Sequence, residues 1–430
     1  MEISVKKKYV LVGCGSRARF FYEAVASTYS ATSEMAAFCD ISATRMKFAN
    51  TLLEKNGAKA VPMYGHTEFE KMLEEIRPDY VIVTTVDRNH DHYIIKAMEM
   101  GVDVITEKPM TIDEEKAQAI IDTQKRTGRS LRVTFNYRYS PHNTKIRELI
   151  MNDTIGDVLS IHFEWLLDTQ HGADYYRRWH RNKHNSGGLL VHKSTHHFDL
   201  VNFWLADTPR RVFAMGDMMF YGMKNAEKRG VTSFYDRAHG NAAAKNDPFA
   251  IDLAAEDDMR AMYLDAEADS GYVRDRSVFS DDVAIEDVMG VLVRYNKGAI
   301  LTYSLNTYLP WEGFNVVFNG TKGRIELKVV ERSYVSGRDS LVHQGATDNE
   351  SLMVYPLFAE PYKADITRGE GGHGGGDPIL LNDIFGVPQP DPFNRAAGHI
   401  DGAMSILTGI AANKSIASGL PVDIADLVKF

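Results

Sequence analysis

Tyr9-Val10-Leu11-Val12-Gly13-Cys14-Gly15-Ser16-Arg17-Ala18 carries an apolar strand straight into a glycine-rich turn and then into a helical pattern. In that setting G-x-G-x-x-G/A, here with alanine at its third position, is a dinucleotide-binding fingerprint. Gly13 permits the tight turn, Gly15 lets the backbone approach a pyrophosphate, and Ala18 is small enough for close helix-to-strand packing. Ser16 and Arg17 lie at the helix entry, whose free N–H groups suit phosphate. Asp40 ends the next apolar strand, where its carboxylate can bond both hydroxyls of an adenosine ribose and repel a 2′-phosphate. That predicts NAD rather than NADP. Two other readings stay open: Asp40 capping the helix that starts near Ser42, and Arg45 offsetting the repulsion if its loop curls inward.

Working outward, strands at Tyr9–Val12, Met35–Cys39, Tyr80–Thr84, Asp103–Thr106 and Ser130–Phe135 alternate with helical patterns at Ser16–Ser27, Ser42–Lys55 and His90–Met100. This rhythm predicts a parallel sheet covered on both faces. After Pro141 it changes. A helix at Asn143–Met151 leads through Gly156-Asp157 to an alternating strand, Val158–Trp165, and four more strands are read at Asp287–Tyr295, Ala299–Tyr308, Asn315–Gly320 and Gly323–Val329. Turn signals Asn-Lys-Gly and Gly-Thr-Lys-Gly separate them, so an antiparallel or mixed sheet with helices on one face follows. The expected division is an NAD-binding domain over 1–138 and a substrate-binding and oligomerisation domain over 139–430. Residues 241–287 are acidic and lack a clean period, and read as an insertion near the site. The run Gly371–Gly376, interrupted by His373, reads as a loop close to a ligand, and Gly402–Ala417 as a final helix.

With 430 residues, two domains are the default. A net charge of −9 offers no basic field for nucleic acid. No apolar run approaches the roughly 18–20 residues that span a bilayer. The apolar run at the start is too short for a signal-peptide core, and Cys14 and Cys39 suggest neither a disulfide framework nor a thiolate metal site. A cytoplasmic protein is expected, with no membrane or nucleic-acid partner.

Glu107-Lys108-Pro109 after the strand ending at Thr106 is the second informative motif. Together with Gly13–Ala18, Asn89-His90 before a helix ending at Gly101, Asn136-Tyr137-Arg138, and Gly187-Gly188 followed by His196 and Asp199, it resembles the glucose-fructose oxidoreductase and inositol dehydrogenase family, Gfo/Idh/MocA. The resemblance covers almost the whole chain. It implies an α/β architecture: an N-terminal Rossmann domain followed by an α/β domain on a large open mixed sheet, assembled as a homodimer or homotetramer. It also implies that Lys108 orients the reacting hydroxyl, that Glu107 and Lys108 lie at the cofactor, and that the peptide bond before Pro109 is cis. A lysine before a proline turn is commonly just a surface residue. Arg138 is read as a substrate contact or, with even odds, an inter-domain ion pair. His90 reads equally well as a helix cap and stays outside the catalytic set.

Seven of the fifteen histidines fall between His162 and His197. Gly187 to Asp199 reads as a turn feeding an amphipathic helix, with His192, His196 and Asp199 on one face. In the related enzymes the general-base histidine stands four residues after an acid. His196 matches the base, and His192 stands where the acid is expected. Lys108, His192 and His196 are therefore the catalytic set; Lys108, Arg138, His192, His196 and Asp199 are the substrate contacts, with Asp199 either holding the His196 imidazole or capping the turn. Lys193 is read as pointing to the opposite face. Trp165, Tyr175, Tyr176, Arg178, Trp179 and Trp311 offer faces and polar tips for a carbohydrate ring, although aromatic residues are more often core.

These readings predict an NAD(P)-dependent dehydrogenase acting on CH–OH groups, moving a hydride between a nicotinamide and a secondary hydroxyl of a sugar, glycoside or cyclitol. Three alternatives remain. One is redox-neutral glycoside cleavage through transient oxidation with tightly held NAD. Another is a metal-dependent hydrolase or isomerase using the i,i+4 pair His192 and His196 with His373 and Asp377, in which Lys193 replaces the metallopeptidase glutamate. The third is a non-catalytic dinucleotide sensor. No metal is expected on the leading reading.

Overall fold

A computed structural model describes residues 6–335, 346–367 and 372–430. Strands β1 (Lys7–Val12), β2 (Ser33–Asp40), β3 (Met63–Gly65), β4 (Tyr80–Val83), β5 (Asp103–Thr106) and β6 (Leu131–Val133) pair in parallel in the order β3-β2-β1-β4-β5-β6. Their central residues are apolar on both faces, as a doubly covered parallel sheet requires. Tyr9 and Leu11 face a cluster with Phe21 and Phe38, while Val10 and Val12 face Ile94 and Ile120. Helices α1 (Ala18–Ala26) and α2 (Ala43–Lys55) carry the first face; α3 (Phe69–Ile76), α4 (His90–Glu99) and α5 (Glu114–Thr127) carry the second.

From α6 (Pro141–Met151) the chain enters a mixed sheet of nine strands. Strands β7 (Val158–Asp168), β8 (Pro209–Asp217), β9 (Val288–Tyr295), β10 (Ile300–Leu309), β11 (Glu312–Gly320), β12 (Gly323–Arg332), β13 (Ala346–Pro356) and β14 (Tyr362–Lys363) lie in the order β14-β13-β12-β11-β7-β10-β9-β8. β15 (Ala397–Gly398) joins the first sheet and β16 (Val422–Asp423) the edge of the second. β7 and β10 run parallel, whereas the neighbouring pairs β10–β9, β11–β7 and β11–β12 are antiparallel. One face of this sheet is core: Ile161, Phe163, Trp165, Val291, Val293, Leu301, Tyr303 and Leu305 are buried there. The other face displays His162, Glu164, Leu292, Arg294, Ile300 and Thr302, which the strand register brings side by side.

The expected division at 138/139 is crossed twice. β15 pairs antiparallel with β6, so residues from the far end of the chain extend the first sheet. The segment Gly372–Phe385 also packs back onto Asn136–Tyr139, and Phe385 enters the cluster with Phe21. A Cβ on Gly376 would lie 2.4 Å from the Asn136 carbonyl oxygen, so only glycine allows that approach. His373, Gly374 and Gly375 have positive φ, giving the turn that aims the segment. The expected glycine loop is thus a bent helix start, and Gly371 lies outside the described residues.

Candidate active site

The turn from β1 to α1 has the geometry that its glycines predict. Gly13 sits at φ 95°, and a Cβ there would come within 2.7 Å of the Thr84 carbonyl carbon. Above Gly15 there is open space, with nothing within 4 Å of a Cβ position, which is the cradle a diphosphate requires. Asp40 closes the turn from the side: its carboxylate accepts N–H bonds from Cys14 at 2.5 Å and Ser42 at 2.7 Å. Ser42, not Asp40, caps α2, accepting from the Arg45 N–H at 3.1 Å. Burial raises the Asp40 carboxyl, opposed by the Ser42 N–H and by Arg45. Arg17 donates to Glu107 at 2.6 Å and stacks on Phe20, so the glycine turn and the Glu107-Lys108-Pro109 turn are tied together.

The Lys108–Pro109 peptide is cis. His90 bridges this turn, its ring nitrogens 2.8 Å from the Pro109 carbonyl oxygen and 3.1 Å from that of Thr85. It is a buried brace rather than a helix cap. Lys108 is half-buried; desolvation brings its ammonium down to about 8, with Asp87 and Glu107 pulling the other way. Its Nζ donates to the His192 carbonyl at 3.2 Å, which joins the carboxyl end of the first sheet to the histidine helices of the second unit.

Those helices differ from the single amphipathic one expected. Gly187 and Gly188 have positive φ. Before them come α7 (His171–Arg177) and α8 (Lys183–Ser186), and after them α9 (Leu189–His192), which breaks at Lys193 before α10 (Ser194–Leu205) begins. Residues 194–204 are buried all round. The break separates His192 from His196. His192 turns to Asp87, with Nδ1 2.5 Å from a carboxylate oxygen, beside the His180 ring at 4.1 Å. His196 packs edge-on against Tyr137 at 5.0 Å, with His373 at 6.4 Å. Burial, and then the Lys108 and Lys193 cations, hold the His196 imidazole well below its ordinary range.

The pattern of the oxidoreductase family's NAD-binding Rossmann fold matches residues 7–135, and that of its C-terminal alpha/beta domain matches residues 147–424. The chain belongs to the Gfo/Idh/MocA oxidoreductase family. Oxidoreductase YteT of Bacillus subtilis strain 168 is 35% identical over 434 residues, spanning 98% of each chain. D-glucoside 3-dehydrogenase of Escherichia coli K12 is 30% identical over 125 residues, 29% of this chain and 34% of that protein. Among solved structures, an oxidoreductase from Agrobacterium radiobacter in complex with NAD+, L-tartaric acid and magnesium superposes with a TM-score of 0.65 at 16% identity, over 99% of this chain and 100% of that one.

Within this Gfo/Idh/MocA chain several expected contacts are redirected. Arg138 and Asp199 are 3% and 1% exposed and bonded to each other, with Asp401 completing the group, an arrangement that fits the ion-pair reading of Arg138. Asp199 neither holds His196 nor caps the turn. Trp165 is core, stacked between His197 at 4.0 Å and Phe314 at 4.7 Å, and Tyr176 is core against Tyr221. Trp311 lies under Lys328. Tyr175 and Trp179 do stand at the site, with ring centroids 5.6 Å and 5.8 Å from His192. Lys193 points inward over the Trp165 and Tyr137 rings at 5.0 Å and 5.8 Å rather than to the opposite face. The metal-ligand set is not assembled. His192 faces Asp87 and His373 faces Asp377, and among the described residues no group of three or more His, Cys, Asp or Glu is arranged to hold a metal.

Two features escaped the sequence reading. Asp87 follows β4 in Val86-Asp87-Arg88-Asn89-His90, and its signal was an acid at the carboxyl edge of a Rossmann strand, where ligands gather. The contacts of the acidic insertion, which the sequence places only near the site, are the other. The insertion folds over the ribose corner of the first domain: Asp258 pairs with Arg19 at 2.5 Å, the Met262 carbonyl accepts from Arg45 at 3.1 Å, and Asp269 accepts from Ser42 Oγ at 2.7 Å and the Thr44 N–H at 2.9 Å. Arg45 lies over Tyr263 and Tyr272 of the same segment, 6.0 Å and 5.7 Å from their ring centroids.

Proposed function

We propose that this protein moves a hydride between a nicotinamide cofactor and a secondary hydroxyl of a sugar, glycoside or cyclitol. The observation that carries this is the meeting of the half-buried Lys108 ammonium with the buried His192 and His196 at the carboxyl edge of the Rossmann sheet. There a substrate alcohol would lie between a cation that stabilises an alkoxide and imidazoles that handle its proton. Gly13, Gly15, Ser16, Arg17 and Ala18 would hold the diphosphate, Asp40 the ribose, and Glu107 with Lys108 the nicotinamide end. The cofactor, when bound, supplies the redox step. Asp40 favours NAD over NADP, since its carboxylate leaves no room for a 2′-phosphate charge. The polyol dehydrogenases among the relatives, including D-glucoside 3-dehydrogenase and inositol 2-dehydrogenase, support the substrate class. Leu292 and Ile300 on the open sheet face are suited to a second copy of the chain, giving a homodimer or homotetramer.

A second reading has a specific observation behind it. The insertion's grip on Ser42, Thr44 and Arg45 would hinder cofactor exchange, which suits transient oxidation with re-reduction and glycoside cleavage. Incubating the protein with NAD+ and a panel of methyl glycosides, hexoses and inositols separates the two. Net NADH with an oxidised product supports the dehydrogenase; product without net NADH supports the redox-neutral route. Binding of NAD+ with no turnover across the panel would leave a dinucleotide sensor and overturn both.

A further inference from the structure

We infer that His192, its Nδ1–H held by the Asp87 carboxylate, is the group that takes the substrate's hydroxyl proton, and that Asp87 is its positioning residue. This rests on the dehydrogenase reading and assigns roles within it. The sequence put a histidine where the related enzymes place an acid, which left the matched base, His196, without a counter-charge. The structure returns the acid from the other domain. Asp87 and His192 are 105 residues apart, yet Oδ2 and Nδ1 are separated by 2.5 Å in a buried contact.

The carboxylate decides the tautomer. Burial raises the Asp87 carboxyl and the Lys108 and Arg178 cations oppose it; in its ionised form its oxygen can only accept, which puts the imidazole proton on Nδ1 and leaves Nε2 the open lone pair. Among the described residues no hydrogen bond reaches Nε2, and the Tyr175, Trp179 and His180 rings pack around the imidazole. The Lys108 ammonium bonds the backbone carbonyl of this same residue, which brings a cation next to the base. His196 lacks that acid, while burial and neighbouring cations hold both imidazoles well below their ordinary range. The His196 Nδ1 is buried without a partner, Tyr137 and Phe135 pack on its ring, and the charges facing it are the Lys108 and Lys193 cations. A proton placed there would meet only like charge.

The step balances without any further reactant. The C–H bond breaks and leaves with two electrons as hydride to the oxidised nicotinamide. The O–H proton passes to His192 Nε2, and the imidazolium is neutralised by Asp87 through the existing Nδ1 bond. The reverse path returns the proton when a carbonyl is reduced. Lys108, Arg178, Glu107, His180 and His196 are the other titratable or charged groups facing the pair, so the pH profile belongs to this set as a whole.

Asp87→Asn tests the assignment. Its amide donates to Nδ1, selects the Nε2–H tautomer and blocks the lone pair, so kcat should fall by about 10²- to 10⁴-fold while NAD+ affinity holds. Asp87→Glu should recover part of that loss, which a merely structural role would not predict. His192→Ala should remove the acidic limb of kcat/KM, whereas His196→Asn should change KM and leave that limb in place. Nitrogen-15 NMR of labelled protein reads the tautomer without turnover: an Nδ1–H signal from His192, lost in Asp87→Asn, is expected. An Nε2–H signal in the unaltered protein overturns the inference, as does an Asp87→Asn variant with unchanged kcat and pH limb. A limb that vanishes in His196→Asn and survives in His192→Ala does so too. If the unaltered protein itself oxidises no alcohol, it is the dehydrogenase reading that has failed.

Discussion

The Arg138 guanidinium grips the Asp199 carboxylate twice, 2.7 Å from Nε and 2.5 Å from Nη2, at the seam between the Rossmann sheet and the histidine helices. Both side chains are nearly inaccessible, and Asp401 at 2.9 Å is the third member. Removing one partner of such a pair leaves the other charged and buried, which typically costs about 3–5 kcal/mol. Asp199→Asn should therefore lower the urea midpoint substantially. KM for the alcohol should stay within about twofold at temperatures where the variant remains folded. A large rise in KM with an unchanged midpoint would place Asp199 in the substrate pocket.

Cofactor choice is tested at Asp40. Its carboxylate takes N–H bonds from Cys14 and Ser42 and keeps lone pairs for ribose hydroxyls. Arg45, the nearest cation that could welcome a 2′-phosphate, is drawn to Met262 and the rings of Tyr263 and Tyr272. NADH should bind at least about tenfold more tightly than NADPH, and Asp40→Ser should narrow that ratio. Fluorescence titration of both reduced cofactors measures it. Equal affinity in the unaltered protein would reverse the preference.

Much of this was legible from one-dimensional pattern. The Rossmann strands announce themselves as short runs buried on both sides, and Gly13 and Pro109 encode backbone conformations that few other residues tolerate. β8, Pro-Arg-Arg-Val-Phe-Ala-Met-Gly-Asp, was missed because three of its first residues are proline and arginine and its outer face carries Met215. The two-residue strands β15 and β16 have no periodicity to read. Pairings across the domain seam were out of reach for a different reason. Asp87 with His192, and Asp269 with Ser42, are choices among many acids and polar groups that only the packed chain resolves. The helix pattern through 187–199 misled because a period of 3.6 places His192 and His196 together, whereas the break at Lys193 separates them.

Lys108 sets an alkaline limit. Burial brings its ammonium from 10.5 to about 8, so the cation that steadies a developing alkoxide is present below about pH 8 and lost above it. The kcat/KM for alcohol oxidation should fall about tenfold per pH unit beyond that point. Lys108→Arg, charged throughout, should move the limit upward, and Lys108→Met should abolish it while lowering kcat/KM by about 10²- to 10³-fold. Stability has the opposite sign: between about 8 and 10.5 the unfolded chain binds a proton that the folded one does not, so folding stability rises with pH across that window. A pH profile unchanged in Lys108→Arg would assign the limit to another group.

The insertion makes the last prediction. Asp269 reaches from the second unit to Ser42 Oγ and the Thr44 N–H at the first turn of α2, beside the residue expected to hold the ribose. A ligand lying against Asp40 under this contact would leave only when the contact opens. The two bonds are partly exposed and charge-assisted, so losing them should favour the open form by about 1–2 kcal/mol, roughly a five- to thirtyfold change. Asp269→Ala should raise the NADH dissociation rate by that factor and leave the chemical step, measured in a single turnover, unaltered. Arg19→Ala, which removes the more exposed pair with Asp258, should have a smaller effect in the same direction, since such pairs contribute at most about 1 kcal/mol. Stopped-flow displacement of NADH by excess NAD+ gives the rates directly. If Asp269→Ala releases NADH no faster than the unaltered protein, the insertion does not gate the cofactor, and the observation favouring redox-neutral turnover is lost with it.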